Sequence, residues 1–329
     1  MIRFGVIGTN WITERFLEAA REAEGFELAA VYSRTEEKAK QFAEKHGIPQ
    51  WFTSIEELAA SEHVDAIYIA SPNSLHAQQA MLCMNHGKHV LCEKPLASNV
   101  HEVRQMLDTA ERNGVVLMEA LKTTMLPAFE AIRMQLPKLG KVRRYFANYC
   151  QYSSRYDEYR RGNVLNAFKP EFSNGALMDL GIYCLYPQVA LFGKPSVIKA
   201  TGVMLESGVD GEGSIVTGYE GMDAVVMYSK ITDSSLPSEI QGEDACLVID
   251  KISEPSELFI RYRDGREERV EVQQDKPVMT YEAIEFMELI RQGNQQSATN
   301  SWATSLAVAE IMEEARKQLG LVYPADQQQ

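Results

Sequence analysis

Short apolar runs and amphipathic stretches take turns along the first 120 or so residues. Residues 2–7 form a β-rich run, and Ile12, Phe16, Ala19, Ala20 and Ala23 then recur at helical spacing. Residues 26–32 read as a second strand, and 35–46 as a helix stopped by Gly47. Ser54-Ile55-Glu56-Glu57 has the capping-box pattern that opens a short helix. Residues 66–70 read as an apolar strand, 73–85 as a helix and 89–92 as a strand. Asn99-Val100-His101-Glu102 opens another capped helix, with Val100, Val103, Leu107 and Ala110 on one face, and 115–118 is a further strand. Buried apolar strands alternating with amphipathic helices predict βαβ units: an α/β, doubly wound parallel sheet with helices on both faces.

The rhythm changes after about residue 122. A helix is expected over 127–136, a long strand over 142–152 and a helix near 174–192. Strand signals dominate 197–272, with turns at Glu220-Gly221-Met222-Asp223 and Arg263-Asp264-Gly265-Arg266. Two helices close the chain near 279–291 and 301–319, the latter with Trp302, Leu306, Ala309, Met312 and Ala315 on one stripe. This part reads as α+β with an antiparallel sheet, and Gln327-Gln328-Gln329 as a loose tail.

Composition narrows the classes. The chain has 329 residues, enough for about two domains. At 45% hydrophobic and 24% charged, it is neither disordered, collagenous nor a coiled coil. A net charge of -13 disfavours nucleic acid and anionic membrane surfaces as partners. No unbroken apolar run of 18 residues suggests a membrane span. The five cysteines are odd in number and form no C-x-x-C pair, which speaks against a disulfide framework or structural zinc and for a reducing, cytoplasmic address. All six histidines lie in the first third, so a base from the later part must be another residue type. His86 and His89 flank Gly87-Lys88 without a carboxylate at metal-ligand spacing and read as structural; no metal site is expected.

The first strand runs into Gly8-Thr9-Asn10-Trp11-Ile12-Thr13, where a dinucleotide fold places G-x-G-x-x-G/A so that pyrophosphate reaches a helix N-terminus. Only the first glycine is present. Asn10 holds the second position, either keeping the turn by positive φ or capping the helix, and Thr13 adds bulk at the third. After the second strand stand Ser33-Arg34, with Lys38 a turn later, in place of the acid that binds a ribose hydroxyl. A hydroxyl and a guanidinium suit a 2′-phosphate and favour NADP, with NAD as the alternative. Further on, Asp179 and Tyr183 are four residues apart, on one face of the expected helix. Gly181 between them suggests a close approach to its backbone.

Three segments together resemble the glucose–fructose oxidoreductase/inositol dehydrogenase (Gfo/Idh/MocA) family: Ala70-Ser71-Pro72-Asn73-Ser74-Leu75-His76, Cys92-Glu93-Lys94-Pro95-Leu96 and Gly175-Ala176-Leu177-Met178-Asp179-Leu180-Gly181-Ile182-Tyr183. The resemblance covers essentially the whole chain. It implies a Rossmann domain over 1–120 and a substrate and oligomerisation domain over 121–329, whose large open, mainly antiparallel sheet builds a homodimer or tetramer. Lys94, at the carboxyl edge of the parallel sheet, would hydrogen-bond a substrate hydroxyl and stabilise the alkoxide as hydride leaves for nicotinamide, the family role of this lysine. Glu93 would face the cofactor ribose or orient Lys94, and the Lys94–Pro95 peptide is often cis in the family. Where many relatives have histidine, this chain has Tyr183, as in the dihydrodiol-dehydrogenase-like branch; the resemblance makes it the general acid/base, with Asp179 on a substrate hydroxyl. His76 would sit near the nicotinamide end or form a surface hydrogen bond.

The catalytic set is thus Lys94, Tyr183 and Asp179. The cofactor set is Gly8, Thr9, Asn10, Trp11, Ile12, Ser33, Arg34, Lys38, Ser71, Asn73, His76, Glu93 and Lys94. The expected function is an NAD(P)-dependent oxidoreductase acting on a hydroxyl/carbonyl carbon of a sugar, cyclitol or dihydrodiol-like substrate. Two alternatives stay open: a non-catalytic dinucleotide-binding regulator, motivated by the altered glycine loop, and an NAD-dependent glycoside hydrolase of the same fold. The stretch from Tyr149 to Arg161, rich in tyrosine and arginine, lines a pocket or an oligomer contact.

Overall fold

The computed structural model describes residues 1–327 in two compact units: Met1–Lys122 with Lys276–Ser305, and Thr123–Asp275 with the described residues from Leu306 on. Gln328 and Gln329 of the expected tail lie outside the described residues, and Gln327 closes a 3-10 turn over Pro324–Gln327.

In the first unit, six strands form one parallel sheet. They are β1 (Ile2–Ile7), β2 (Phe26–Tyr32), β3 (Gln50–Phe52), β4 (Ala66–Ile69), β5 (His89–Glu93) and β6 (Leu117–Ala120), in the order β3-β2-β1-β4-β5-β6. The order reverses between β1 and β4, the switch point at which doubly wound sheets bind ligands. The helices α1 (Trp11–Ala20), α2 (Glu36–His46), α3 (Ile55–Ala60), α4 (His76–Asn85) and α5 (Val100–Asn113) connect these strands. Their ends follow from local chemistry. The Ser54 and Asn99 side chains accept the N–H of Glu57 and Glu102, and Gly47 and Gly114 end their helices in the left-handed region.

Two strands differ from the sequence pattern. β3 has no signal in the sequence, because three residues between a helix stop and a helix cap are too few to show alternation. β6 begins at Leu117, not at 115, because Val115 still bonds back to Ala110 in closing the α5 cap. The expected division at 120/121 also misses that the chain returns. The helix Val278–Gln292 buries Phe286 in the first unit's core, 5.8 Å from the ring of Phe4. Phe16 stacks on Tyr68 in that core, centroids 3.7 Å apart. A parallel sheet needs apolar cover on both faces, and the later segment supplies part of it.

The second unit is built on an eight-stranded sheet of β7 (Val142–Cys150), β8 (Val197–Met204), β9 (Asp210–Tyr219), β10 (Met222–Ser229), β11 (Ser238–Gly242), β12 (Ala245–Ile249), β13 (Leu258–Tyr262) and β14 (Glu267–Val270). Its order is β14-β13-β12-β11-β7-β10-β9-β8, antiparallel throughout except for the β7–β10 pair. Both expected turns join hairpins, with Gly221 and Gly265 at positive φ. The sheet's inner residues Tyr145, Ile215, Val226, Tyr228, Ile240 and Leu247 are buried, whereas Val197, Val203 and Val216 are 49%, 47% and 44% exposed.

Helices α6 (Pro127–Gln135), α7 (Ser154–Arg160) and α8 (Ile182–Phe192) belong to this unit. The stretch Pro170–Phe192 is, among the described residues, the one helical segment long and apolar enough by length and composition to cross a membrane. Glu171, Ser173, Asn174, Asp179 and Gln188 interrupt any unbroken apolar run, so the sequence criterion passes over the segment. The segment is 72% buried within the protein, as a core helix is. On the helix Trp302–Leu319 the buried stripe is Val308, Ile311, Met312 and Ala315, one position off the expected line at Ala309.

Candidate active site

The carboxyl ends of β1, β4 and β5 carry the first unit's share of the expected residues. Gly8 has φ 110, and a Cβ there would meet the Ala70 carbonyl oxygen at 2.6 Å, so only glycine fits. Asn10 does not take positive φ. It is extended, at φ -97 and ψ 179, and caps α1. Its side-chain oxygen accepts from the N–H of Ile12 (3.0 Å) and Thr13 (3.3 Å), while its amide donates to the Ala70 carbonyl at 2.8 Å. The carboxamide thus ties α1 to the end of β4 and occupies two of the amides that a phosphate would otherwise use. Thr13 is fully buried with its hydroxyl unpartnered, as expected from its bulk at the helix–strand contact.

At the end of β2, Ser33 is buried and donates its N–H to the Phe52 carbonyl at 3.1 Å. Arg34 and Lys38 are exposed, and among the described residues neither has a hydrogen-bond or ion-pair partner. Positive φ at Gly8, the switch point between β1 and β4, and two uncommitted cations fit a dinucleotide bearing a 2′-phosphate.

After β4, the Ser71 hydroxyl donates to Gln79 at 2.7 Å. Asn73 opens a 3-10 turn that leads into α4. His76 is fully buried, which removes the surface alternative. Its ring nitrogens meet the carbonyls of Pro95 and Ser71, each at 2.9 Å, and burial holds it below the usual histidine range. It therefore braces the loop after β4 against the loop after β5. His89 accepts the Val116 N–H at 2.9 Å, a structural bond.

The Lys94–Pro95 peptide is cis. Glu93, 8% exposed, accepts the Tyr68 hydroxyl at 2.5 Å and the Lys94 N–H at 3.3 Å. These bonds fit the orienting role of the two expected for it. Lys94 itself is half-buried. Beneath the loop, Glu119 accepts the Leu96 N–H at 2.9 Å, and burial pushes its carboxyl up to about 7. Sequence reasoning missed Glu119. Its signal was an acid inside an apolar strand, a pattern that is rarely fully buried without a partner.

In the second unit, the segment from Gly175 to Gly181 makes a helix start of an unusual kind. Gly175 has φ 141 and lies against the Asp210 carboxylate, whose other oxygen accepts the Leu177 N–H at 2.7 Å. Burial pushes Asp210 up to about 6. Leu177–Gly181 is then a π turn, not a regular helix, so the four-residue spacing of Asp179 and Tyr183 does not run along one α-helical face. Such turns recur at functional sites. Gly181 admits the close approach that its position suggested. A Cβ there would meet the side chains of Leu177 at 2.8 Å and Tyr228 at 3.0 Å.

Asp179 Oδ2 is 2.7 Å from Lys230 Nζ, with side-chain exposures of 40% and 5%. Lys230 also lies 5.4 Å from the Phe168 ring centroid. This enclosed lysine was missed because it follows β10 as one more charge in a polar stretch. The Tyr183 ring meets Tyr149 edge-on at 5.6 Å. Of the aromatic stretch around α7, Tyr156 and Tyr159 pack on Phe168 within this unit.

A family model described as "Oxidoreductase family, NAD-binding Rossmann fold" matches residues 2–121. The chain is 58% identical over 327 residues to scyllo-inositol 2-dehydrogenase (NADP(+)) IolU of Bacillus subtilis (strain 168), covering 99% of this chain and 100% of that one. It is 32% identical over 339 residues to trans-1,2-dihydrobenzene-1,2-diol dehydrogenase of Xenopus tropicalis, covering 98% and 99%. The crystal structure of KijD10, a 3-ketoreductase from Actinomadura kijaniata in complex with NADP and TDP-benzene, superposes with a TM-score of 0.84 at 23% identity, covering 97% of this chain and 98% of that one, a likeness of fold.

Proposed function

This chain belongs to the Gfo/Idh/MocA family and is an NAD(P)-dependent oxidoreductase, and from that premise we propose that it oxidises a ring hydroxyl of a cyclitol or related sugar with NADP. The observation that carries this reading is the 58% identity, over essentially the whole chain, to a dehydrogenase whose name specifies scyllo-inositol and NADP(+). The regulator and hydrolase alternatives give way to it.

Gly8, Thr9, Asn10, Trp11 and Ile12 hold the pyrophosphate, chiefly through amides that Asn10 leaves free. Ser33, Arg34 and Lys38 take the 2′-phosphate. Ser71, Asn73, His76, Glu93 and Lys94 shape the nicotinamide end. When bound, the nicotinamide supplies the hydride acceptor or donor. Lys94 donates a hydrogen bond to the substrate oxygen, and its positive charge stabilises the alkoxide as the carbinol C–H bond breaks. Tyr183 takes the hydroxyl proton in oxidation and returns it in reduction. Asp179, held by Lys230, accepts a hydrogen bond from a neighbouring substrate hydroxyl.

Two supporting readings complete the proposal. Five free cysteines suit a reducing, cytoplasmic setting. The exposed valines of the large sheet suit a homo-oligomer, a dimer or tetramer, that covers that face.

The test is fluorescence titration with NADP(H) and NAD(H), followed by absorbance assays over a panel of cyclitols and sugars. Tighter binding of NADP(H) and NADP+ reduction with scyllo-inositol or a near relative are expected. Cofactor binding with no redox change on any polyol would overturn the reading.

A further inference from the structure

β9 begins with Asp210, a side chain with no exposed surface whose two carboxylate oxygens do different things at the turn that carries Asp179. One accepts the Leu177 N–H at 2.7 Å. The other has no hydrogen-bond partner among the described residues and fills the space that a side chain at position 175 would take, since a Cβ on Gly175 would collide with it. With φ 141, Gly175 is also in a region that side chains disfavour. The Leu177 carbonyl in turn accepts the Ile182 N–H five residues on, the bond of a π turn. Both backbone groups of Leu177 are thus committed, one to Asp210 and one to Ile182, and Asp179 lies within the turn they define.

The same end of β9 holds the other half of the Asp179 ion pair. The carbonyl of Gly211, next to Asp210, accepts the Lys230 N–H at 2.9 Å, and Lys230 Nζ is 2.7 Å from Asp179 Oδ2. These contacts close a ring: from Asp210 to Leu177, along the turn to Asp179, across to Lys230, and back through Gly211 to Asp210. The Lys230 carbonyl accepts the Ser153 N–H at 2.9 Å, so the lysine's backbone is tied on both sides. The residue before Gly175 is anchored separately. The hydroxyl of the buried Tyr323 donates to the Asn174 carbonyl at 2.7 Å. Loss of the Asp210 acceptor therefore loosens the turn without releasing the loop that leads into it.

We propose that Asp210 is a positioning residue for Asp179: by holding the Leu177 N–H and filling the space at Gly175, it sets the π turn so that one Asp179 oxygen stays on Lys230 and the other is presented to substrate. This rests on the reading of Asp179 as the acceptor for a neighbouring substrate hydroxyl. The Asp179 side chain is 40% exposed, so the ion pair fixes one of its oxygens and leaves the other to be aimed by the backbone. A shift of the turn that keeps the ion pair still carries that second oxygen off the hydroxyl. A misplacement of about 1 Å costs up to about 100-fold in rate.

The test uses the full-length protein with NADP+ bound. Asp210→Ala removes the acceptor, and Asp210→Asn keeps an acceptor oxygen in the same volume. Amide hydrogen exchange is followed over residues 175–183, with 245–262 of β12 and β13 as the control, and kcat/KM is measured on scyllo-inositol. The alanine variant should exchange faster over 175–183 with the control unchanged, and kcat/KM should fall about 10- to 100-fold. The asparagine variant should recover most of both. In an Asp179→Asn background, Asp210→Ala should lower kcat/KM little further, because the residue it positions is already lost. Where the alanine variant does not fold, Asp210→Ser, one bond too short to keep the Leu177 contact, takes its place. Wild-type exchange over 175–183, faster exchange spread equally over the control, or a full additional loss in the Asp179→Asn background would each overturn the proposal. Asp179→Asn alone separates the two readings. Normal kcat/KM there defeats the reading of Asp179 itself, whereas an impaired Asp179→Asn beside an unimpaired Asp210→Ala defeats only the role of Asp210.

Discussion

Lys94 and Asp179 each present one charge at the surface of a compact unit, yet their surroundings are built on opposite principles. Around Lys94 the supporting acids are buried and accept hydrogen bonds from neutral donors, among them the Tyr68 hydroxyl and the backbone N–H groups of Lys94 and Leu96. Around Asp179 the support is a direct ion pair with a lysine enclosed to 5% exposure. In the first arrangement a carboxyl can change protonation and still fit. In the second, the lysine has no neutral substitute for its partner. The first is therefore a place where pH acts, and the second a place where geometry is fixed.

The largest effect on stability bears on the first unit alone. Phe286→Ala empties a site against Phe4 in the returning helix and should cost about 3–5 kcal/mol. Denaturant unfolding would show it, and a loss within error would mean that Lys276–Ser305 does not hold that unit's core. Next come the buried acids. Glu119 at about 7 and Asp210 at about 6 are raised above their ordinary values of 4.5 and 3.8. A raised acid binds more protons folded than unfolded, so its burden on stability is absent at low pH. The burden grows as pH rises from the unfolded value to the folded one, reaching about 3 kcal/mol for each at roughly 1.36 kcal/mol per pKa unit. Glu119→Gln should flatten the fall in thermal midpoint between about pH 4.5 and 7, and Asp210→Asn between about pH 4 and 6. Unchanged midpoint–pH curves would contradict both assignments.

The ion pair should respond the other way. Asp179→Asn leaves Lys230 enclosed without its partner and should destabilise by about 2 kcal/mol at neutral pH. Lys230→Met, which leaves only the part-exposed Asp179, should cost less, and its kcat should fall more than its KM changes. Equal losses in the two variants would erase the contrast between the sites. The smallest effect is at the cofactor's far end. Arg34→Ala should raise KM for NADP+ about tenfold, one charge-assisted contact of roughly 1.5 kcal/mol, with NAD+ unaffected. An equal change for both cofactors would remove Arg34 from the 2′-phosphate site.

What could be read from the chain divides along the same line. The βαβ rhythm, the caps at Ser54 and Asn99, the stop at Gly47 and the Glu93-Lys94-Pro95 segment are local, and each is visible within a few consecutive residues. Gly181 was also legible, since its close neighbours Leu177 and Tyr228 demand a missing side chain. Glu119, Asp210 and Lys230 were not. Glu119 is an acid inside an apolar strand and the other two look like charges in mixed stretches, and the meaning of each comes from strands and helices distant in sequence. Asn10 shows the intermediate case. Its residue type allowed a positive-φ turn or a helix cap, and the carbonyl of Ala70, brought close by β4, selects the cap.

The central claim is that Lys94 supports hydride transfer from a carbinol carbon. It is tested most directly by following deuterium from a carbon-deuterated cyclitol to NADP+ with wild type and Lys94→Ala. The label should appear in the reduced nicotinamide with wild type and at least about 100-fold more slowly with the variant. Equal rates in the two proteins, or product formed with no label in the nicotinamide, would contradict it.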